Sequence, residues 1–337
     1  MKERHQDSPI LVLGAGGWGT ALAMVLAESG HPVRVWGRNR EYMEHLETQR
    51  ENPRFLPGVQ LPAGIRFSAE IRALSDGVKV VLSVVPTQFL RSVIQQLQPH
   101  LGSAEILVSC SKGLELVTHR RPTEILTEFW PGAATVVLSG PSHAEEVSRS
   151  LPTTVVAAST RPQPATVVQG LLKGQNFRVY TGTDPVGAEI GGVSKNIMAL
   201  AAGISDGLGF GDNTRAGLMT RGLHEMTRLG VALGARPETF AGLSGVGDLI
   251  ATCTSEHSRN RSVGFRLGRG ELLQDIVGST EKVAEGVEST RALLELASTL
   301  EVDVPITREV HAVLFEGKKA RKAVESLMSR ELREEIA

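Results

Sequence analysis

The stretch ILVLGAGGWGTALAMVLAESG, residues 10 to 30, decides the fold of this chain. Its apolar start, 10–13, predicts a buried strand, and Gly14, Gly16 and Gly19 then fit the pattern G-x-G-x-x-G at the beginning of a helix. In that context the first glycine permits a tight turn, the second lets the backbone approach a pyrophosphate, and the third allows close helix–strand packing. Free N–H groups at the helix N-terminus then bind the phosphates. The stretch predicts a dinucleotide-binding unit, against the alternative of a glycine-rich turn without a ligand.

The chain beyond this unit repeats the alternation of strand and helix. Further β-branched runs occur at 33–36, 78–85, 105–110, 134–139, 153–159 and 177–180. Stretches long enough for crossover helices lie between most of them, as at 17–29, 87–98 and 119–129. Apolar strands that alternate with helices indicate a parallel sheet covered on both faces. We therefore predict the α/β class, with an N-terminal Rossmann-like, mostly parallel sheet and helices on both faces.

The second half of the chain has a different character, because the strand signals largely stop near residue 184. Helical periodicity continues in four later runs, 185–206, 213–233, 286–299 and 305–316. A chain of 337 residues is also too long for one ordinary core. We predict a dinucleotide-binding domain over 1–187 and an all-helical C-terminal domain, with substrate and catalytic residues, over 188–337.

Bulk composition limits the classes of function. Lys+Arg is 36 and Asp+Glu is 37, which argues against a protein dominated by nucleic-acid or membrane electrostatics. Cys110 and Cys253 form neither a disulfide framework nor a metal spacing. No uncharged apolar run reaches the roughly 18 residues of a membrane span, and the start MKERHQDSP lacks the apolar segment of a signal peptide. We expect a soluble cytoplasmic protein without a metal, a nucleic-acid partner or a membrane span.

The end of the second strand bears on the choice of cofactor. NAD-specific sites usually carry an Asp or Glu about 20 residues past the glycines. Residues 36–39 are Trp, Gly, Arg and Asn, with no acid among them. Arg38, with Arg40 assisting, can instead pair with a 2′-phosphate. The pattern favours NADP over NAD, with a solvated arginine as the alternative.

Two polar turns directly follow other predicted strands. Lys112 lies in SKG after the run 105–110, and Gly140 and Ser142 lie in GPS after the run 134–139. Ligands of open α/β sheets bind beyond the carboxyl ends of the strands, so both turns lie at the correct edge. Lys112 can hold an anionic substrate or a polarised carbonyl, or can simply be a surface lysine in a turn.

A lysine interrupts a helix that otherwise looks buried. The stretch GGVSKNIMALAAG, residues 191 to 203, has apolar residues at helical spacing, with Lys195 in its middle. His143 and His257 adjoin polar motifs elsewhere, but they form neither a recognisable triad nor a metal spacing, so we assign them structural or peripheral roles. Lys195 is the residue that packing does not explain.

A further polar cluster lies at 242–264. Asp248 follows a glycine-rich run, and Ser258 is a predicted N-cap of the next helix. Arg259 and Asn260 beside that cap would add charge and directional donors to the free N–H groups, as a phosphate site requires. An ordinary cap followed by exposed arginines is the alternative.

Seven motifs follow one another along the chain: GAGGWGTALA (14–23), NPRFLPG (52–58), SKGLE (111–115), GPSHAEE (140–146), SKNIMALAAG (194–203), GLSGVGDL (242–249) and SRNR (258–261). In this order they resemble bacterial-type NAD(P)-dependent glycerol-3-phosphate dehydrogenase. The resemblance covers nearly the whole chain, with Gly17 where relatives often have serine or alanine. It implies reversible NAD(P)H-dependent reduction of dihydroxyacetone phosphate to sn-glycerol 3-phosphate, which feeds glycerophospholipid synthesis.

The resemblance also implies residue roles. Lys195 becomes the general acid–base residue, because hydride addition at C2 leaves an alkoxide that must receive a proton. Asp248 would orient Lys195 and balance its charge, with Lys112 as the third catalytic group. The implied substrate-binding residues are Lys112, Gly140, Ser142, Lys195, Asn196, Asp248, Thr252, Ser258, Arg259 and Asn260. The implied cofactor-binding residues are Gly14, Gly16, Gly17, Trp18, Gly19, Arg38, Asn39, Lys112, Ala144, Arg259, Val283 and Glu285.

Two rival functions remain open at this point. Another two-domain NADP-dependent dehydrogenase, such as a 3-hydroxyacid dehydrogenase or ketopantoate reductase, shares both halves but has less need of a phosphate site such as SRNR. A non-catalytic NADP-binding sensor would keep the fold without requiring Lys195, Asp248 and Arg259 together. The expected partner is a small phosphorylated substrate, and the helical half could provide a homodimer interface.

Overall fold

The computed structural model describes residues 8–279, 284–332 and 334–335 and confirms the predicted fold class. Its strands in these residues are β1 Ile10–Leu13, β2 Val33–Trp36, β3 Glu51–Asn52, β4 Leu56–Gln60, β5 Ile65–Ser68, β6 Val80–Ser83, β7 Ile106–Ser109, β8 Ala134–Ser139, β9 Thr153–Ala158 and β10 Phe177–Gly182. Every strand predicted from an apolar run is present.

Most of these strands form one sheet in the order β10-β9-β8-β7-β6-β1-β2-β5. Neighbouring strands are parallel except β8 and β9, which pair antiparallel. The chain runs outward from β1 through β2 to β5 and then returns to β6 on the other side of β1. The carboxyl ends of β1 and β6 therefore flank the topological switch point, where ligands of open α/β sheets bind.

Helices cover both faces of this sheet, as the continuous apolar strands predict. They are α1 Gly17–Glu28, α2 Arg40–Gln49, α3 Thr87–Leu97, α4 Pro122–Phe129, α5 Ala144–Val147 and α6 Pro162–Leu171. Alternate residues of β1 enter two different cores: Ile10 and Val12 pack on one face, and Leu11 and Leu13 on the other. Both faces of the strand are buried, which is why its sequence is apolar throughout.

Three strands were not predicted from the sequence. β3 has two residues, and β4, which pairs antiparallel with it, contains Pro57 and Gly58. Strands this short with turn-forming residues carry almost no propensity signal. β5 has a clearer signal, because Ile65 and Phe67 are buried and alternate with exposed Arg66. The hairpin of β3 and β4 lies next to the glycine loop, and its position matters for the cofactor site below.

The second half is helical throughout its described residues. Its α-helices are α7 Pro185–Gly207, α8 Asp212–Ala232, α9 Pro237–Phe240, α10 Asp248–Thr254, α11 Arg259–Gly268, α12 Leu273–Gly278, α13 Glu285–Thr299, α14 Pro305–Phe315 and α15 Ala320–Met328. A π-helical segment, Leu243–Gly247, leads into α10. The domain boundary predicted at 187/188 falls in the first turn of α7 and stays a prediction. Across the described ranges, none of the helices has the length and apolar character needed to cross a membrane.

Helix α7 is the centre of this half and is buried along nearly its whole length. It crosses α11 at very close range. A Cβ at Gly203 would lie 2.0 Å from the Arg261 carbonyl oxygen, and a Cβ at Gly264 would lie 2.1 Å from the Leu200 carbonyl oxygen. Because only glycine fits on both sides, the crossing fixes the N-terminus of α11 relative to Lys195 on α7.

Candidate active site

A cleft of about 480 Å³ opens at the switch point between the sheet and the helical half. Its walls contain most of the residues proposed from the sequence. These are Gly14, Gly16, Gly17, Trp18, Gly19, Arg38, Asn39, Lys112, Ser142, Ala144, Lys195, Asn196, Thr252, Ser258, Arg259, Asn260 and Glu285. Gly140 and Asp248 lie behind this wall and contact Lys112. Val283 lies outside the described residues.

The glycine loop has the geometry that a dinucleotide pyrophosphate needs. Gly14 has a φ of +117°, and a Cβ there would approach the Val84 carbonyl oxygen to 2.9 Å. A Cβ at Gly19 would lie 2.0 Å from the Gly14 carbonyl oxygen, so this glycine permits the helix to pack on the strand. A Cβ at Gly16 would meet open space, and the first turn of α1 contains no acidic residue. The loop therefore leaves room for phosphates at the N-terminus of α1 and does not repel them.

Of the two arginines that follow β2, Arg38 lies in the cleft wall and Arg40 does not. Arg38 is exposed, lines the cleft and lies 5.7 Å from the centroid of the Phe89 ring. Asn39 caps α2 by accepting a hydrogen bond from the Tyr42 N–H. Arg40, expected to assist Arg38, pairs instead with Glu70 and is absent from the cleft wall. The sequence could not show this pairing, because Glu70 is thirty residues further along the chain.

Three charged side chains meet at the floor of the cleft. Asp248 begins α10, Lys112 follows β7, and Lys195 lies on α7. Lys112 Nζ donates to Asp248 Oδ2 at 2.6 Å, and Lys195 Nζ lies 3.1 Å from Asp248 Oδ1. Asp248 is 2% exposed and Lys195 is 7% exposed. A single buried carboxylate is thus shared by two ammonium groups.

The electrostatics of this cluster favour proton transfer by Lys195. Burial lowers the pKa of Lys195 to about 8. The positive charge of Lys112 also lowers this pKa, whereas the negative charge of Asp248 raises it. Burial alone would raise the pKa of Asp248, but Lys112 and Lys195 together hold it below its ordinary value. Asp248 therefore stays ionised while Lys195 titrates near neutral pH, as a general acid–base group requires.

Neutral side chains hold the two lysines in place. Lys195 Nζ donates to Thr252 Oγ1 at 2.7 Å, and Thr252 Oγ1 in turn donates to the Asp248 carbonyl oxygen at 2.7 Å. Asn196 donates to the Lys112 carbonyl oxygen at 3.2 Å and accepts from Asn260 at 2.9 Å. These bonds tie α7, α10 and α11 to the turn after β7.

The N-terminus of α11 faces the same cleft. Ser258 caps this helix, as predicted, by accepting from the Arg261 N–H at 3.2 Å. Ser258, Arg259 and Asn260 line the cleft, whereas Arg261 turns away and pairs with Asp206. The SRNR motif thus contributes one arginine to the cleft, beside the N-terminal turn of α11, and this combination suits a phosphate.

The remaining predicted residues complete the walls. Ser142 Oγ donates to the Gly140 carbonyl oxygen at 2.9 Å, and Lys112 Nζ donates to the same oxygen at 3.1 Å. Ala144 is the first residue of α5 and lies next to the glycine loop: a Cβ built at Gly17 would be 3.5 Å from the Ala144 Cβ. Burial raises the pKa of Glu285, which accepts a hydrogen bond from the Thr87 N–H.

Sequence reasoning missed several residues of the cleft wall. Arg54 and Phe55 come from the turn between β3 and β4, and Phe89 comes from α3. His143 and His257, which were assigned structural or peripheral roles, also line the cleft, with ring centroids 5.9 Å apart. Burial, and then Lys195, lower the pKa of His143. The signal for Phe89 was its place at the start of the helix after β6, beside the switch point.

Within the described residues, no three His, Cys, Asp or Glu side chains lie where they could hold a metal ion together. Both cysteines are free and buried.

Comparison with known proteins identifies relatives over nearly the full chain. Two family models match: the NAD-dependent glycerol-3-phosphate dehydrogenase N-terminus over residues 9–165, and the C-terminus of the same family over residues 184–325. A glycerol-3-phosphate dehydrogenase (NAD(P)+) of Geobacillus thermodenitrificans is 51% identical over 331 residues, covering 97% of this chain and 96% of that one. The protein of the same name from Desulfitobacterium hafniense is 50% identical, covering 97% and 93%. A crystal structure of glycerol-3-phosphate dehydrogenase from Coxiella burnetii is 38% identical, with a TM-score of 0.93 over 96% of this chain and 99% of that one.

Proposed function

The chain belongs to the NAD-dependent glycerol-3-phosphate dehydrogenase family, and from this premise we propose that its cleft interconverts dihydroxyacetone phosphate and sn-glycerol 3-phosphate with Lys195 as the proton-transferring residue. The chain is an NAD(P)-dependent oxidoreductase. The observation that carries the proposed site is the pairing of Lys112 and Lys195 with buried Asp248 in a cleft that also contains the N-terminus of α11.

The cofactor is NAD or NADP, and it supplies or accepts a hydride when bound. The glycine loop provides backbone N–H groups for its pyrophosphate, with Trp18 and Ala144 on the same wall. Arg38 is an exposed cation at the ribose end, and Asn39 is not acidic, so we propose a preference for NADP.

Lys195 moves the proton of the reaction. Reduction of the C2 carbonyl places negative charge on its oxygen, and the Lys195 ammonium donates a proton there as the charge develops. In the reverse direction the neutral amine takes the proton from the C2 hydroxyl. A pKa of about 8 leaves both forms populated near neutral pH. Proton transfer of this kind typically accelerates a reaction by about 10²–10⁴-fold.

The groups around Lys195 set its position and its charge. Asp248 balances the two lysines, and the Thr252 hydroxyl accepts one of the Lys195 N–H bonds. Lys112 lines the cleft and supplies a second positive charge for the polarised carbonyl oxygen. Because Asp248 is buried behind them, both ammonium groups remain held when substrate is absent.

The substrate phosphate is proposed to bind at the N-terminus of α11. Ser258 and Arg259 combine helix N–H groups with a guanidinium, the donor set that phosphate oxygens favour. Asn260 and Asn196 connect this surface to the turn that carries Lys112. We include Gly140 and Ser142 in the substrate surface because the Gly140 carbonyl oxygen accepts from Lys112, and Ser142 donates to that same oxygen and lines the cleft.

The proposed setting is cytoplasmic and metabolic. Two free, buried cysteines fit a reducing compartment. The product sn-glycerol 3-phosphate is the backbone precursor of glycerophospholipids, so we propose a role in their synthesis. A homodimer and the division into domains over 1–187 and 188–337 stay predictions.

A substrate panel tests the proposed function. Purified protein is mixed with NADPH and dihydroxyacetone phosphate, and absorbance is followed; dihydroxyacetone and NADH replace substrate and cofactor in matched reactions. We expect rapid oxidation only with the phosphorylated ketone, and faster reaction with NADPH than with NADH at low cofactor concentration. Equal rates with unphosphorylated dihydroxyacetone would contradict the phosphate site, and binding of NADPH without turnover of dihydroxyacetone phosphate would contradict the reaction.

A further inference from the structure

Asn52 is a buried amide whose hydrogen-bonding capacity is fully used. It is 0% exposed. Its Nδ2 donates to the Ala15 carbonyl oxygen at 3.1 Å and to Thr20 Oγ1 at 2.7 Å. Its Oδ1 accepts from the Phe55 N–H at 3.2 Å and from the Tyr42 hydroxyl at 2.5 Å. A side-chain amide has two donor hydrogens and two acceptor lone pairs, so none remains for another role.

These four bonds join four parts of the cofactor half. Ala15 belongs to the glycine loop, Thr20 to α1 and Tyr42 to α2. Phe55 ends the turn between β3 and β4, which we call the NPRF turn (residues 52–55). A fully satisfied buried polar network of this kind is rigid and specific, since loss of any member leaves buried partners unpaired. Asn52 therefore fixes the NPRF turn to the glycine loop.

The NPRF turn is held directly above the glycine loop. A Cβ built at Gly17 would lie 3.6 Å from the Phe55 carbonyl oxygen and 3.7 Å from the Phe55 Cβ. Arg54 and Phe55 line the same cleft as Gly16 and Gly17. The Arg54 guanidinium carbon lies 5.2 Å from the centroid of the Phe55 ring.

We propose that the NPRF turn covers the cofactor pyrophosphate, with Arg54 as its charged contact and Asn52 as the positioning residue that holds the turn in place. The inference rests on the proposed cofactor site and goes beyond its glycine loop. Arg54 adds a guanidinium to the N–H groups of α1, and Phe55 provides an apolar surface that excludes water from that contact. Asn52 acts through Arg54 and Phe55 and touches no cofactor itself.

The position of the NPRF turn also indicates which phosphate group of the cofactor Arg54 contacts. NADP carries a pyrophosphate and a 2′-phosphate, and Arg38 lies at the ribose end. Because the NPRF turn packs against Gly17, Arg54 is assigned to the pyrophosphate, which NAD and NADP share. Loss of Arg54 then weakens both cofactors alike, whereas loss of Arg38 weakens NADP selectively.

Equilibrium titration of nicotinamide fluorescence with the full chain tests this without turnover. Arg54→Ala is expected to raise the Kd of both NADPH and NADH by about tenfold, as loss of one charge-assisted contact does. Arg66→Ala, an exposed arginine of β5 outside the cleft wall, is the matched control and is expected to leave both Kd values unchanged. An unchanged Kd for Arg54→Ala would overturn the proposal, and an effect confined to NADPH would overturn the assignment to the pyrophosphate.

A double-mutant cycle tests the role of Asn52. If Asn52 acts through the turn, Asn52→Ala raises both Kd values, and adding Arg54→Ala raises them no further. Independent, multiplying effects would overturn the positioning role. Tyr42→Phe removes the hydroxyl that donates to Asn52 and also bonds the Arg54 backbone, so it loosens the same turn and serves as the second variant if Asn52→Ala does not fold. In Tyr42→Phe we expect a KM for NADPH raised about threefold, with kcat and the KM for dihydroxyacetone phosphate unchanged.

Limited trypsin digestion gives an independent readout of the same contact. Arg54 is exposed in the free protein, and tryptic cleavage after it is expected to be slower with saturating NADPH or NADH if the turn covers the cofactor. Equal cleavage at Arg54 with and without saturating cofactor would overturn the proposal. Since binding and protection need no turnover, a chain that bound cofactor but failed to reduce dihydroxyacetone phosphate would refute the proposed reaction and leave this inference standing.

Discussion

Replacing Asp248 with asparagine removes one charge from the floor of the cleft while nearly preserving the side chain's shape. The carboxylate lies 2.6 Å from Lys112 Nζ and 3.1 Å from Lys195 Nζ. Unit charges about 4 Å apart interact by about 4 kcal/mol at an effective dielectric constant of about 20. Removing one partner of a buried pair costs about 3–5 kcal/mol when the other charge stays. We expect Lys195 to release its proton more readily in this variant, because the neutral amine avoids the cost of an unpaired buried charge. Its pKa therefore falls below about 8.

The consequence is a shift in the pH dependence of catalysis. With Lys195 in its proposed role, reduction uses the ammonium form, so we expect kcat/KM in that direction to fall as pH rises through about 8 in the unmodified protein. Oxidation requires the amine and rises over the same range. In Asp248→Asn both changes move to lower pH by about one unit or more. A one-unit fall lowers the protonated fraction of Lys195 at pH 8 from about one half to about one tenth, so we expect kcat/KM for reduction to decrease by about fivefold or more at that pH, with recovery in acid.

The assay is NADPH oxidation with dihydroxyacetone phosphate between pH 5.5 and 9.5, because kcat/KM reports the pKa of the free enzyme. Asp206→Asn is the matched control. Asp206 also accepts from two cations, Arg215 and Arg261, but these lie away from the reacting groups. We expect the control to lose stability while keeping the original pH profile. A profile of Asp248→Asn that superimposes on the original after scaling would refute the reasoning.

Other predictions concern the phosphate surface and the helix crossing that positions it. Arg259→Ala is expected to raise the KM for dihydroxyacetone phosphate by about 10–100-fold and to weaken the slow reduction of unphosphorylated dihydroxyacetone much less, since the lost guanidinium is the proposed contact to the substrate phosphate; equal losses with both ketones would contradict this. Gly264→Ala is expected to destabilise the fold by about 3 kcal/mol or more in denaturant titrations, because its Cβ would lie 2.1 Å from the Leu200 carbonyl oxygen. Gly217→Ala in α8, where a Cβ meets open space, is its control and is expected to be neutral or slightly stabilising; a similar loss in both variants would exclude the close crossing as the cause.

Local signals predicted the framework of the fold well. The apolar strand, the glycines at 14, 16 and 19 and the following helix are contiguous, so the dinucleotide-binding unit could be identified from one stretch. The long α7 was recognised from helical periodicity, and Ser258 was recognised as an N-cap from its residue type and position. These features depend on neighbours in sequence, which a sequence displays directly.

Features made by distant residues could not be predicted from spacing alone. Lys112, Lys195 and Asp248 come from three separate elements, and their meeting depends on how α7 and α10 pack against the end of β7. Composition and pattern identified the three residues as candidates, and the family resemblance supplied their roles. The resemblance already implied that Asp248 balances the charge of Lys195, and the structure adds that the same carboxylate also pairs with Lys112.

The NPRF turn and Arg40 show the same limit in two other ways. β3 and β4 are too short and too rich in turn residues to have a strand signal, so Arg54 and Phe55 were not placed at the cofactor site. Arg40 is an arginine close to Arg38 in sequence and was therefore expected to assist it, but its guanidinium pairs with Glu70. A suitable residue type close to a motif is therefore not enough to assign a role, because the contacts of the side chain decide it.

The central claim is that Lys195 transfers the proton, and Lys195→Ala tests it most directly. NADPH affinity is measured by fluorescence titration, and turnover of dihydroxyacetone phosphate is measured by absorbance on the same preparation. The account predicts an unchanged Kd for NADPH and a kcat lower by about 10²–10⁴-fold, equivalent to about 3–5 kcal/mol of transition-state stabilisation. Near-normal turnover by Lys195→Ala would contradict it.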